Sequence, residues 1–362
     1  MISLLLGLAL AAADAQGARL PAMPRSLYGI AWQRDLGSAA LGENHFREPG
    51  GPVYDPVTRL VVAGTRDGLL HAFRSDGSLA WEFQAGGAFS AEVLVDGDTI
   101  YAPSEDGRLY ALALGTGRER WRYDSHEQLA TRPALVEGLV VVASLQDTVF
   151  AIDARTGAWK WHHRREPREG FTIHGQAAPV VGAGLVHAGF SDGTVVALEA
   201  ATGVVRWERH VAPAGPYTDV DSLALAEGRL YAAAYSGAVV ALEAASGKPL
   251  WQRALPQAAR VALLPGMLVV VSGSTVEALS PSDGKPSWSV PLHGSPAAPP
   301  RMAGRWLLVP ADGGGLRFLE LVSGRTVRVL DPGTGVAAAP AVAGQRAYVL
   351  SNGGRLLALD LR

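Results

Sequence analysis

Residues 192–207 read DGTVVALEAATGVVRW. Two short apolar runs flank a Thr-Gly pair, and a tryptophan closes the stretch. The β-branched content, the alternation in VVALEA and the bounding Asp-Gly make both runs strands rather than helix turns. The Thr-Gly pair reads as a tight hairpin, because such turns need positive φ, which glycine adopts without steric cost. Nothing in the stretch is catalytic, yet the chain repeats it. Close copies are DGLLHAFRSDGSLAW (67–81), DGRLYALALGTGRERW (106–121), DTVFAIDARTGAWKW (147–161), SGAVVALEAASGKPLW (236–251) and GSTVEALSPSDGKPSW (273–288). A seventh unit, GGLRFLELVSGRTVR (314–328), puts Arg328 where the others carry tryptophan. In the six complete copies a glycine stands four residues before the tryptophan, and successive tryptophans are 40, 40, 46, 44 and 37 residues apart. A period near forty built of short strands indicates a propeller or a similar array.

Each unit divides into four strands, as in residues 131–161: a short strand after Pro133, the buried run LVVVASL, the alternating TVFAIDA, and WKWHH after the RTG turn. One such sheet cannot bury both faces, so sheets stack around an axis with a large ring wedged at each junction. Trp32, Trp81, Trp121, Trp161, Trp207, Trp251 and Trp288 are therefore read as structural wedges. The seven units leave both ends over. Residues 338–362 supply three strands, and residues 26–37, with Trp32, supply a lone fourth. Joined, they complete an eighth unit. The expected fold is an all-β, eight-bladed propeller of four-stranded antiparallel blades, a single domain over 26–362 whose last blade is shared by both termini.

Composition agrees with this. Of 362 residues, 43 are glycine and 23 proline, too many for a helical bundle and suited to a turn-rich β protein. Hydrophobic residues make up 48% and charged residues 18%, with a formal net charge of −2. No basic stripe with interleaved aromatics is present, so nucleic acid is not an expected partner. The absence of cysteine removes disulfides, thiolate nucleophiles and cysteine-ligated metal sites. The opening MISLLLGLALAAADAQG has an apolar run of signal-peptide length and an Ala-Asp-Ala cleavage pattern, though no Lys or Arg precedes it. We read 1–15 as a signal peptide and 16–25 as a linker.

The YALDxxTGxxxW pattern resembles a repeat shared by bacterial quinoprotein dehydrogenases and by propellers without enzymatic activity. Those dehydrogenases hold pyrroloquinoline quinone on the axis, usually with a vicinal cysteine pair and a Ca²⁺ site. This chain has no cysteine and no insertion bearing the calcium ligands. More specific are FTIHGQAAP (171–179) and YTDVDSLALAEGRLYAAAYSGAVVALEAASGKPLW (217–251). These segments resemble the outer-membrane protein assembly factor BamB family, which carries Leu-Ser-Leu-Arg-Gly-Glu-Ser-Ala-Pro at the first place and Ser-Asp-Val-Asp at the second. The resemblance implies that both segments form loops of adjacent blades that contact the periplasmic domains of a BamA-like barrel-assembly protein. By position, the family's two leucines become Phe171 and Ile173, its arginine becomes His174, and its acidic pair is retained as Asp219 and Asp221. The neutral tendency of His174 departs from the always-charged arginine. Family members are typically lipoproteins, and Ala15-Gln16 stands where their cysteine would be, so no lipid anchor is expected.

A second reading stands beside each of these residues. Phe171 and Ile173 alternate as the inner face of a first strand would, and Asp219 and Asp221 suit side-chain capping of a turn. The cluster WHHRREPRE (161–169) is read as a solvated loop rather than a metal site, since neighbouring strand residues point to opposite faces. No catalytic, cofactor or metal residues are assigned. The chain is expected to be a non-enzymatic periplasmic scaffold, peripheral to the outer membrane, that aids barrel insertion and holds nascent outer-membrane proteins nearby. The alternatives are a generic adaptor or sensor propeller and a quinone-dependent dehydrogenase.

Overall fold

A computed structural model describes residues 26–37, 47–166, 177–214, 217–273 and 275–362. The expected signal peptide and linker lie outside these residues. The chain forms eight antiparallel sheets arranged as the blades of a propeller. Blade 3 shows the pattern, with strands Ala134–Val136, Leu139–Ala143, Thr148–Asp153 and Trp159–Arg164 running from the axis outward. Its second and third strands are almost wholly buried, and its outermost strand alternates with solvent. This gradient follows from the stacking: the middle strands have a neighbouring blade on both faces. Val141, Ala143 and Ala151 of blade 3 accordingly share one core with Val186, Val196 and Leu198 of blade 4.

The ring closes as expected. Tyr28–Asp35 pairs antiparallel with Arg355–Leu361, so the first strand of the chain becomes the outermost strand of the last blade. Backbone bonds from Arg362 N to Leu27 O (2.9 Å) and from Leu36 N to Gly354 O (2.8 Å) extend the seam at both ends. Blade 7 departs from the four-strand plan. Its innermost strand is split into Ser295–Pro296 and Arg301–Ala303, both paired with Trp306–Asp312. The break contains Pro299 and Pro300, which have no N–H to give to a ladder. The recurrent Asp-Gly pairs cap the hairpins between second and third strands. Asp106 and Asp192 accept from the backbone N–H two residues on, at 3.0 and 2.9 Å.

The tryptophans and glycines of the repeat form pairs between blades. Each indole N–H donates to a carbonyl of the following blade: Trp32 to Ser75 (2.9 Å), Trp81 to Leu114 (2.8 Å), Trp121 to Ala154 (3.1 Å) and Trp161 to Ala200 (2.8 Å). Trp207 to Ala244, Trp251 to Pro281 and Trp288 to Leu321 continue the series at 3.0, 3.0 and 3.1 Å. Each ring lies flat on the turn glycine of that next blade. A Cβ on Gly117, Gly157, Gly203, Gly247 or Gly284 would sit 2.5 to 2.8 Å from the indole. These glycines also hold φ near +70°. Two constraints therefore meet at one position, a left-handed backbone and a surface that must stay bare.

The same pairing explains Arg328. The blade after blade 7 is made by the two chain ends and has no third-to-fourth turn on which an indole could rest. Arg328 is exposed at the tryptophan's place, opposite Phe318 in the ladder, whereas all seven tryptophans lie opposite alanines. Phe318 is fully buried and stacks on Tyr28 across the seam, with ring centres 5.3 Å apart. The aromatic wedge has moved one strand inward.

Gly203→Ala tests the double constraint. The left-handed backbone costs an alanine about 1–2 kcal/mol, and the overpacked contact with Trp161 adds about 1–3 kcal/mol. We expect a total loss of about 2–5 kcal/mol in chemical denaturation. A loss below about 0.5 kcal/mol, the size of an ordinary surface change, would show that the turn shifts freely.

Candidate functional site

Two regions depart from the repeat. The first lies where blades 4 and 5 meet. Phe171, Ile173 and His174 lie outside the described residues. The chain re-enters at Ala177, whose N–H donates to Val220 O at 3.1 Å. The two motif segments are thus brought side by side at Ala177 and Val220. Residues 217–221 are stitched down further: Val220 N donates to Phe190 O (3.1 Å), Thr218 Oγ1 to Ser191 O (2.9 Å), and Tyr235 N to Asp219 O (3.0 Å).

Asp219 and Asp221 face inward in this arrangement, with 1% and 6% of their surface exposed. Tyr217, two residues before Asp219, is the exposed member of the segment at 40%. Its ring meets Tyr235 edge to face at 6.3 Å, and its backbone sits at φ 60°. Sequence reasoning passed over Tyr217, although it heads the quoted motif, because exposure is not written in the sequence. Of the charged cluster at 161–169, residues 161–166 are described, and its first three lie in the strand expected from WKWHH rather than in a loop. Trp159–Arg164 is a strand, and Arg165 ties blade 3 to blade 4 through Asp192 (2.9 and 2.8 Å) and Glu208 (2.9 Å).

The second region is the axis. A cavity of about 800 Å³ is lined by residues from the innermost strands of the blades or the positions just before them. Nearly half of the lining residues are alanine or proline, which leaves room at the centre, and five charged side chains stand out. Glu92 of blade 2 accepts both oxygens' bonds from Arg301 of blade 7 (2.7 and 2.9 Å), and Arg132 Nε lies 3.6 Å away. Across from them, Asp221 of blade 5 and Arg260 of blade 6 are neighbours in the ring. Burial pushes the Asp221 carboxyl up to about 7; nearby Arg260 opposes the shift and Asp219 adds to it. Burial also lowers the Arg260 guanidinium from its usual value. Arg260 donates to the carbonyls of Ala297 (3.0 Å) and Ala259 (2.8 Å).

The protein family described as Outer membrane protein assembly factor BamB matches residues 29–115, 66–290 and 272–362 of the chain. The chain belongs to that family. A BamB from Burkholderia pseudomallei is 28% identical over 130 residues, 34% of this chain and 34% of that protein. The crystal structure of BamB from Moraxella catarrhalis superposes with a TM-score of 0.79 at 21% identity, covering 92% of this chain and 100% of that one. A polyvinylalcohol dehydrogenase from Sphingopyxis is 34% identical over 91 residues, 23% of this chain and 14% of the enzyme. The chain matches about a third or less of the length of both curated relatives.

The dehydrogenase corrects one expectation. The chain was read as non-enzymatic because it lacks a cysteine pair and a calcium-ligand insertion. Sequence similarity to an enzyme overturns that exclusion. The quinohemoprotein alcohol dehydrogenase of Comamonas testosteroni has a TM-score of 0.73 at 16% identity, covering 92% of this chain and 76% of that one. Blades of this type serve enzymes and scaffolds alike, since the repeat encodes stacking and not chemistry.

Proposed function

We propose that the chain docks on the periplasmic domains of a BamA-like barrel-assembly protein through the end of the ring where blades 4 and 5 meet. Membership of the BamB family sets it in the periplasm, peripheral to the outer membrane, with the family's scaffold role in barrel assembly. The observation that carries the finer reading is local. Ala177 of the first segment is hydrogen-bonded to Val220 of the second, and the second segment holds the Tyr217 ring at the surface. Tyrosine is enriched among the few residues that dominate binding energy, because it offers a large rigid apolar face with a polar tip. In this reading Tyr217 is the anchor, Asp219 and Asp221 shape the segment from beneath, and Phe171, Ile173 and His174, which lie outside the described residues, belong to the contact by family resemblance. Holding nascent outer-membrane proteins beside that machinery belongs to the same proposal.

A pulldown with the periplasmic domains of the cognate barrel protein tests it. Charge reversal at Asp219 or Asp221 would bury an unpaired cation and unfold the segment, so the informative change is at the surface. We expect the parent to be retained and Tyr217→Ala to weaken binding by about tenfold or more, the 1.4 kcal/mol or greater expected of an anchor. Equal binding by parent and variant would remove this surface from consideration. No retention of the parent would end the reading altogether.

A further inference from the structure

The charges on the axial wall do not balance. Arg301 and Glu92 neutralise one another through a two-pronged contact. Arg132 reaches Glu92 only at 3.6 Å, and its side chain is 51% exposed. Among the described residues Arg260 has no carboxylate within ion-pair distance, and its contacts are to backbone carbonyls. Asp221 lines the same cavity, is 6% exposed, and has a buried Oδ1 with no hydrogen-bond partner.

Buried polar atoms in folded proteins nearly always have a partner, and a guanidinium held away from bulk water favours an oxyanion. The Asp221 carboxyl, when protonated, adds a donor to the wall of the same cavity. Small side chains around it leave a chamber of about 800 Å³, within the range of small-molecule sites. An ammonium ligand would face Arg132 and Arg260 and is disfavoured. We propose that the axial cavity is a binding site for a small oxyanion, carboxylate or phosphate, held by Arg260 and Arg132 with Asp221 as a further hydrogen-bonding group. The site is separate from the docking anchor proposed above: it opens on the axis and Tyr217 takes no part in it, although Asp221 lies beneath the docking segment as well.

Calorimetric titration of the full-length protein with succinate and, separately, inorganic phosphate tests this, with sodium chloride at matched ionic strength as the baseline and ethylenediamine as a cationic control. The expected result is saturable binding of succinate or phosphate, weakened at least tenfold in Arg260→Gln. Arg132→Gln, at a half-exposed position that leaves the fold intact, is expected to weaken it as well. Whichever oxyanion binds more tightly identifies the headgroup chemistry. The proposal is overturned if neither oxyanion binds above the chloride baseline, which would leave the chamber to water. It is equally overturned if ethylenediamine binds in preference, or if Arg132→Gln binds both oxyanions as the parent does.

Discussion

Replacing Trp161 with alanine lowers the stability of the ring by about 3–5 kcal/mol, the usual cost of removing a buried tryptophan. Trp161 is 6% exposed, its indole N–H is committed to Ala200 O at 2.8 Å, and its ring covers Gly203 of the next blade. Truncation thus opens a cavity at a junction between blades and strips a buried carbonyl of its donor. The junction is also the sharpest place to test the pairing. In the Trp161→Ala background, Gly203→Ala no longer meets a ring and retains only its backbone penalty of about 1–2 kcal/mol. The two losses therefore fall short of additivity by about 1–3 kcal/mol, the overpacking share. Denaturant titrations of the four proteins in the cycle measure this, and strict additivity would dissociate the glycine from the indole.

Asp221→Asn changes how stability depends on pH. The carboxyl's ordinary value is 3.8, and in the fold it is pushed up to about 7, chiefly by burial, with Arg260 opposing and Asp219 reinforcing the shift. A proton is therefore bound more tightly by the folded chain. The associated stability is fully present below pH 3.8 and is lost as pH rises through about 7. At about 1.4 kcal/mol per pH unit, the loss approaches about 4 kcal/mol by pH 8. The asparagine variant has no such proton to lose. It is expected to match or exceed the parent at pH 8 and to lack this part of the decline between pH 4 and 7. Parallel stability curves for the two proteins across that range would show that Asp221 ionises as freely as a surface carboxylate.

Much of the architecture was legible because the repeat is periodic. The alternation in TVVALEA, the Asp-Gly caps and the fourfold division of each unit follow from local chemistry, and local chemistry is what a sequence displays. The closing blade was legible too, since residues 26–37 and 338–362 are complementary fragments of one unit. The reason for the repeat's glycine was only half visible. Positive φ could be inferred from the turn, but the indole over Gly203 comes from Trp161, 42 residues earlier, and belongs to another sheet. Why Arg328 stands where the other units carry tryptophan was hidden for the same reason: the missing turn in the last blade and the Phe318–Tyr28 stack account for it.

The sites show the division more plainly. The sequence placed the two motif segments, and their resemblance to the family pointed to Asp219 and Asp221. It also supplied the bare alanines and prolines of the inner strands. Only the tertiary structure turned the two aspartates inward, left Tyr217 outside them, and gathered Glu92, Arg132, Asp221, Arg260 and Arg301 from five blades around one axis. The physical reason is that strand periodicity governs which face a side chain takes within its own sheet, whereas burial and charge pairing depend on what the neighbouring sheets bring to that face. In a ring those neighbours lie roughly forty residues apart or, as with Glu92 and Arg301, 209.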